Sequence, residues 1–168
     1  MLVKTYCAAV NGLEVTTVTI EVNLNRGVMY HFTGLGDTAV REGRDRIASA
    51  LQYNGYKFPH ADITVNMAPA DLPLAIAILA AAGSIVSEEL DRYMMVGELS
   101  LDGNLQPAKG VLPIAIRARA EKFKGLIVPK QNVREAAVVN NLEVYGMENI
   151  RDVIAFLTGK EHPEPTVI

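Results

Sequence analysis

A chain of 168 residues, 49% hydrophobic and 21% charged, is long enough for one domain with a substantial core and too apolar to stay disordered. Its net charge of −3 and pI near 5.6 exclude nucleic-acid binding driven by bulk charge. The lone cysteine excludes an internal disulfide, and MLVKTYCAAV lacks the long apolar run of a secretory leader, so a cytoplasmic protein is expected.

In chain order, 2–10 and 14–24 read as strands joined by the hairpin turn Asn11-Gly12. Val18, Ile20, Val22 and Leu24 alternate on one face of the second strand, and Cys7 reads as a small core residue of the first. Asn25-Arg26-Gly27 turns into a third strand, VMYHFTG, which predicts three consecutive antiparallel strands as the N-terminal layer. The segment 34–55 is helical, with Asp37 as candidate cap and Val40, Gly43, Ile47, Ala50, Leu51 and Asn54 on one face. Its opening, Gly34-x-Gly36-x-x-Ala39, resembles a dinucleotide fingerprint. The acidic residue expected about 20 positions later is missing, however, and a flexible strand-to-helix turn accounts for the glycines better. Arg41, Arg44 and Arg46 interleave with Glu42 and Asp45, as on a solvated face.

ITVNMAPA (63–70) has the pattern of a strand that ends at a proline. The next stretch, DLPLAIAILAAAG (71–83), has no polar face after Asp71 and falls short of the roughly 20 residues that span a bilayer. A helix apolar all round is buried on several sides, so this one is expected at the centre of the core. Asp71 fits its N-cap, Pro73 its first turn and Gly83 its C-terminal stop. Ser87-Glu88-Glu89 resembles a helix start, and MMVGELSL (94–101) a strand with a hairpin turn at Asp102-Gly103 leading to Asn104-Leu105-Gln106. A helix over 110–124 would turn Val111, Ile114, Ala115 and Ala118 inward. GLIVP, NVREAAVV, LEVYG and NIRDVIAFLTG then alternate strand and helix, with Ile150, Val153, Ile154 and Leu157 inward in the last. That alternation predicts parallel pairing through crossover helices. The polar, proline-bearing KEHPEPTVI (160–168) has linker composition, giving a domain over 1–159.

Few residues carry obvious chemistry. His31, His60 and His162 are far apart and share no helical spacing, so no metal site is expected. Glu98 and Asp102 flank one turn, with Asp102 building the Asp-Gly bend and Glu98 at a sheet edge as the simpler reading. No phosphate-loop motif occurs, since Gly159-Lys160 is followed by Glu161; the chain by itself is expected to bind no ATP.

GLGDTAVREGRDRIASALQYNGYKFP, ITVNMAPAD, DLPLAIAILAAAG and GELSLDGNLQPAKGVLPIAI closely resemble, in order and spacing, the N-terminal domain of the ComM/YifB family. These are bacterial magnesium-chelatase-like AAA+ ATPases. The resemblance implies a ribosomal-protein-S5-domain-2-like fold: α/β (α+β), with a mixed sheet, an N-terminal antiparallel layer and later β-α crossovers. It also implies a parent in which this domain precedes an AAA+ module that binds ATP and Mg. ComM-like members are hexameric helicases that promote DNA branch migration in competence, so DNA, neighbouring subunits of a homohexamer and the chain's own AAA+ module are the expected partners. On this reading the chain ends where the linker would begin.

The same domain is similar to the peptidase domain of Lon, whose Ser–Lys dyad needs a serine beside a neutral lysine. Along this resemblance Leu112 falls at the lysine's place, Lys109 lies three residues earlier, and Asp71-Leu72-Pro73 stands where Lon has its serine. Ser84, Ser87 and Ser100 lie elsewhere, so a Lon-like peptidase is the disfavoured alternative. The expected role is non-catalytic: contact with DNA, a partner or a subunit. Arg117, Arg119, Lys122, Lys124 and Lys130 read as one basic face, the candidate contact surface for phosphates, against ordinary solubility as the plainer account of those charges.

One departure from the family stands out. Relatives place a polar loop of roughly nine residues between the Ala-Pro-Ala-Asp segment and the helix start, where connections of 2–6 residues are common. Here NMAPA runs straight into DLPLAI. Either the loop is deleted or the sequence has closed over a mobile segment; the second is expected, and Cα spacings from Met67 to Pro73 would decide.

Overall fold

The computed structural model describes residues 2–12, 14–23, 29–30, 41–56, 62–63 and 71–168. Strand β1 (Leu2–Asn11) folds back on β2 (Glu14–Asn23) through Gly12, whose φ of 64° is the left-handed geometry an Asn-Gly turn supplies. The two strands pair in full antiparallel register from Leu2↔Asn23 to Asn11↔Glu14. On the other side of β1 lie β5 (Tyr93–Met95), β8 (Gly125–Pro129) and β9 (Glu143–Met147), all parallel to it. The sheet order is β2-β1-β5-β8-β9, so a five-stranded mixed sheet has one antiparallel pair at its N-terminal edge.

Alternation across this sheet divides the core in two. Cys7, Val18, Ile20, Val22, Tyr93, Met95, Ile127, Tyr145 and Met147 face one layer, built by α1 (Arg41–Tyr53), α2 (Asp71–Ala81) and α5 (Ile150–Leu157). Ala8, Met94, Val96, Leu126, Val128 and Val144 face the other, covered by α3 (Val111–Ala120) and α4 (Val133–Ala137). Every residue of α2 is buried, because the helix lies against β1 and β2 with α1 also packed on it. Burial of Leu72, Leu74, Ile76, Ile78 and Leu79 there is worth on the order of 10 kcal/mol before chain entropy is charged. The inward faces expected for α3 and α5 are observed, and Asn149 with Asp152 forms a capping box at the start of α5. Burial raises the Cys7 thiol to about 12, as suits a core residue.

The expected third antiparallel strand is corrected. Its described part, β3 (Met29–Tyr30), pairs in parallel with β4 (Asp62–Ile63) in a separate two-stranded sheet. The single strand expected over 94–101 is divided. β5 stops before Gly97, and β6 (Glu98–Leu99) turns away to pair with β7 (Leu105–Gln106). Gly97, with φ of 154°, allows that change of direction. At 87–92 the chain forms only a 3-10 turn, Leu90–Arg92, in place of a longer helix. Asp37, Val40, the Gly34–Gly36 turn and the junction 64–70 lie outside the described residues.

Within 160–168 the chain folds back on the domain. Lys160 and Glu161 N–H groups donate to Ala155 O, and Thr166 N–H donates to Val144 O at 2.8 Å, on the outer edge of β9. No described helix is long and apolar enough to cross a membrane.

Candidate functional site

The parallel strands give the sheet two unlike ends. At the carboxyl end, α2 begins with a buried acid. Asp71 is the first helical residue, and its carboxylate reaches across the fold in place of the expected cap. Oδ2 accepts from Leu99 N–H at 3.0 Å and from Arg46 Nε at 3.0 Å, while Arg46 Nη2 donates to Oδ1 at 3.4 Å. Leu72 N–H donates to Gly97 O at 3.0 Å, so the first turn of α2 is stitched to β6 and to α1 together. Such a fork pairs a buried carboxylate with a guanidinium in the geometry that offsets its desolvation.

Beside this clasp stands the β6–β7 hairpin. Asp102 accepts from the Ser100 hydroxyl, from Asn104 N–H and from Asn104 Nδ2. The Ser100 hydroxyl, chiefly, and the Asn104 amide hold the Asp102 carboxyl below its ordinary pKa. Asn54 and Asn149 donate to Asp102 O, and Asn132 exchanges two hydrogen bonds with the Ala108 backbone. Glu98 and Lys109 line a neighbouring cleft of about 450 Å³ with Ala8, Val10, Pro107 and Ile114.

The residues relevant to a Ser–Lys dyad are divided between the two ends: Asp71, Ser100 and Leu112 lie at this one, and Ser84 and Ser87 follow the far end of α2, beside Asp91. Asp71 is consumed by Arg46 and Leu99, and Leu112 is a partly exposed apolar residue on α3. The Ser100 hydroxyl is spent on Asp102, Ser87 Oγ accepts from Glu89 N–H, and Ser84 is exposed in the turn after α2. Among the described residues no cluster of three His, Cys, Asp or Glu side chains is placed to hold a metal ion. His162 is exposed, while His31 and His60 lie outside the described residues.

The amino end carries most of the candidate cations. Lys122 and Lys124, preceding β8, line an open cleft of about 790 Å³ with Arg92, which precedes β5. Tyr6, Thr17, Thr19, Phe123, Asp91 and Glu121 complete it. Lys124 Nζ lies 5.9 Å from the centre of the Tyr93 ring, and Tyr93 with Glu89 and Glu143 holds its pKa above the ordinary value. Arg117 forms a 3.2 Å ion pair with Glu121 one turn on, and Arg119 is exposed near the end of α3. Lys130 is separated from the other four. It follows β8 at the carboxyl end, about 20 Å from Lys124 along the strand, and pairs with Glu148 at 2.7 Å. Arg92 was missed by sequence reasoning. The available signal was that Arg92-Tyr93 and Lys124-Gly125 both open parallel neighbours, which sets their side chains at one sheet end.

The model of the family described as ChlI, subunit ChlI of Mg-chelatase, matches residues 20–132. Competence protein ComM of Haemophilus influenzae is 39% identical over 166 residues, taking in 93% of this chain and 32% of that protein. The chain belongs to the ComM/YifB family. The uncharacterized protein YifB of Escherichia coli is 37% identical over 168 residues, covering 92% of this chain and 33% of its own length. The chain therefore spans about a third of these ComM/YifB relatives. Both matched stretches are longer than the share of this chain they take in, so these relatives carry residues without a counterpart here. Lon protease of Haemophilus influenzae is also similar, 25% identical over 163 residues and 86% of this chain.

Proposed function

We propose that this chain serves as the non-catalytic N-terminal domain of a ComM-like AAA+ ATPase, a DNA branch-migration helicase, and works through contacts with DNA, a partner or neighbouring subunits. The observation that carries this reading is the match to competence protein ComM along 93% of the chain but only 32% of that protein. ATP and Mg belong to the AAA+ module, and the parent assembles as a homohexamer in the bacterial cytoplasm. The similarity to Lon supports the S5-domain-2-like description of the fold. Peptidase chemistry is disfavoured by the local geometry: a nucleophile needs a base within reach, and the helix head offers a carboxylate already bound to a guanidinium.

The test uses the purified 168-residue chain. It should show no saturable ATP turnover and no labelling of Ser84, Ser87 or Ser100 by a serine-directed phosphonate. It should retard duplex or forked DNA at low salt, with affinity falling steeply as salt rises, and Arg117, Arg119 and Lys122 replaced together by Ala should abolish that shift without unfolding. ATP turnover or serine labelling overturns the non-catalytic reading. Absence of DNA binding at low salt moves the contact role to subunits or a protein partner.

A further inference from the structure

The geometry points to the amino-end cleft as a subsite for single-stranded nucleic acid, with Arg92, Lys122 and Lys124 on the phosphates and the Tyr6–Phe123 pair as a platform for a base. This rests on the DNA-contact reading above and gives it a place and a strand preference. Three observations converge. Three cations from two separate loops, 90–92 and 122–124, reach one cleft because β5 and β8 start side by side, Tyr93 opposite Gly125. Two half-buried aromatic rings, packed edge to face at 5.3 Å, line the same cleft, and the Thr17 and Thr19 side chains complete its floor. A backbone-tracking set of cations beside aromatic faces is what sequence-tolerant single-strand binding requires; a duplex, with its bases stacked inside, gains only the charges.

The third observation is conformational. Lys122 has φ of 64°, a left-handed backbone that costs a side chain with a Cβ. It occupies the stop of α3, where Lys122 N–H donates to Arg119 O and Phe123 N–H to Ala118 O, the place at which helices favour glycine. The fold thus holds a strained cation at the cleft where the plain structural solution is no side chain at all. Glu121 is bound to Arg117 and to the Thr17 hydroxyl, and Asp91 stands at the wall. Glu89 pairs with Arg92 at 3.7 Å and, with Glu143, acts on Lys124, but the Arg92–Glu89 pair is exposed and screened by water, so a phosphate can replace it.

The test is fluorescence anisotropy of the 168-residue chain with a labelled oligothymidine of about 10 nucleotides, and with a duplex of equal length, over a series of salt concentrations. The single strand should bind more tightly than the duplex. Lys122→Gly should weaken single-strand binding and lower the log–log salt slope by about 0.7, while raising Tm by about 2 °C as the left-handed strain is released. Tyr6→Leu should lower affinity about tenfold at an unchanged salt slope, because it removes stacking and no charge. Lys109→Gln, the same charge change at the opposite end, should leave binding as it was. Single-strand binding that survives Lys122→Gly and Tyr6→Leu, or that is no tighter than duplex binding, overturns this subsite and leaves the DNA-contact reading standing. A lower Tm in Lys122→Gly removes the strain argument and counts against the site. No binding of either DNA at low salt overturns both.

Discussion

The two ends of the central sheet use polar residues in opposite ways. At the carboxyl end, Asp71, Asp102, Asn132 and Asn149 spend their hydrogen bonds on one another's loops, tying α1, α2, the β6–β7 hairpin and α5 into one piece. At the amino end, Arg92, Lys122 and Lys124 stand exposed beside half-buried rings. Open parallel sheets ordinarily bind ligands at their carboxyl edge. Here much of that edge is taken by the hairpin, and the amino end carries exposed cations, of which Arg92 makes a 3.7 Å surface pair with Glu89. Satisfied polarity builds structure; polarity left to water remains available for contact.

The comparison can be broken most directly at Asp71. Asp71→Ala removes the acceptor for both Arg46 and Leu99 N–H and should cost about 3 kcal/mol in urea denaturation. A loss near zero would mean the clasp is ornamental. Next comes Gly103, whose φ is 91° and where an added Cβ would stand 2.5 Å from Asn54 Nδ2 and 3.0 Å from Ile150 Cγ2. Gly103→Ala should cost about 2 kcal/mol by the same measurement. At the amino end, Arg92→Gln and Lys124→Gln should each change stability by less than about 0.5 kcal/mol, as surface substitutions do; a large loss at either would erase the contrast. The smallest effect is in acid. Because the Ser100 hydroxyl and Asn104 amide lower the folded Asp102 pKa, the stabilisation they give is complete above the ordinary carboxylate range and disappears as pH falls through the folded value. Ser100→Ala should therefore flatten the acid limb of a stability-against-pH curve, and an identical limb would remove Asp102 from the account.

Much of the fold was legible because it is written in local patterns. The hairpin at Gly12, the helix with no polar face, and the alternation of strands and helices after residue 110 depend on residues near one another in sequence. What was not legible depends on partners far along the chain. Asp71 has the composition of a cap, yet its acceptor oxygens go to Arg46 and Leu99, a choice that only the folded layers decide. MMVGELSL has continuous strand propensity, and only the need to seat α2 against Gly97 O and Leu99 N–H explains why it bends at the glycine. The basic residues read as one face because spacing carries no information on which end of a strand a loop occupies. Lys124 and Lys130 bracket β8 and so face opposite ends of the sheet.

The hydrogen bond from Thr166 to Val144 has a consequence for keeping such chains apart. β9 closes the parallel side of the sheet, and a bare outer edge there would be a template on which another strand could add without limit. The returning segment occupies that edge with Pro163 and Pro165 just before Thr166, residues that have no N–H to extend a ladder. Growth is blocked from outside while the segment itself stays irregular. Molecules crowded side by side can then touch through side chains without their sheets fusing.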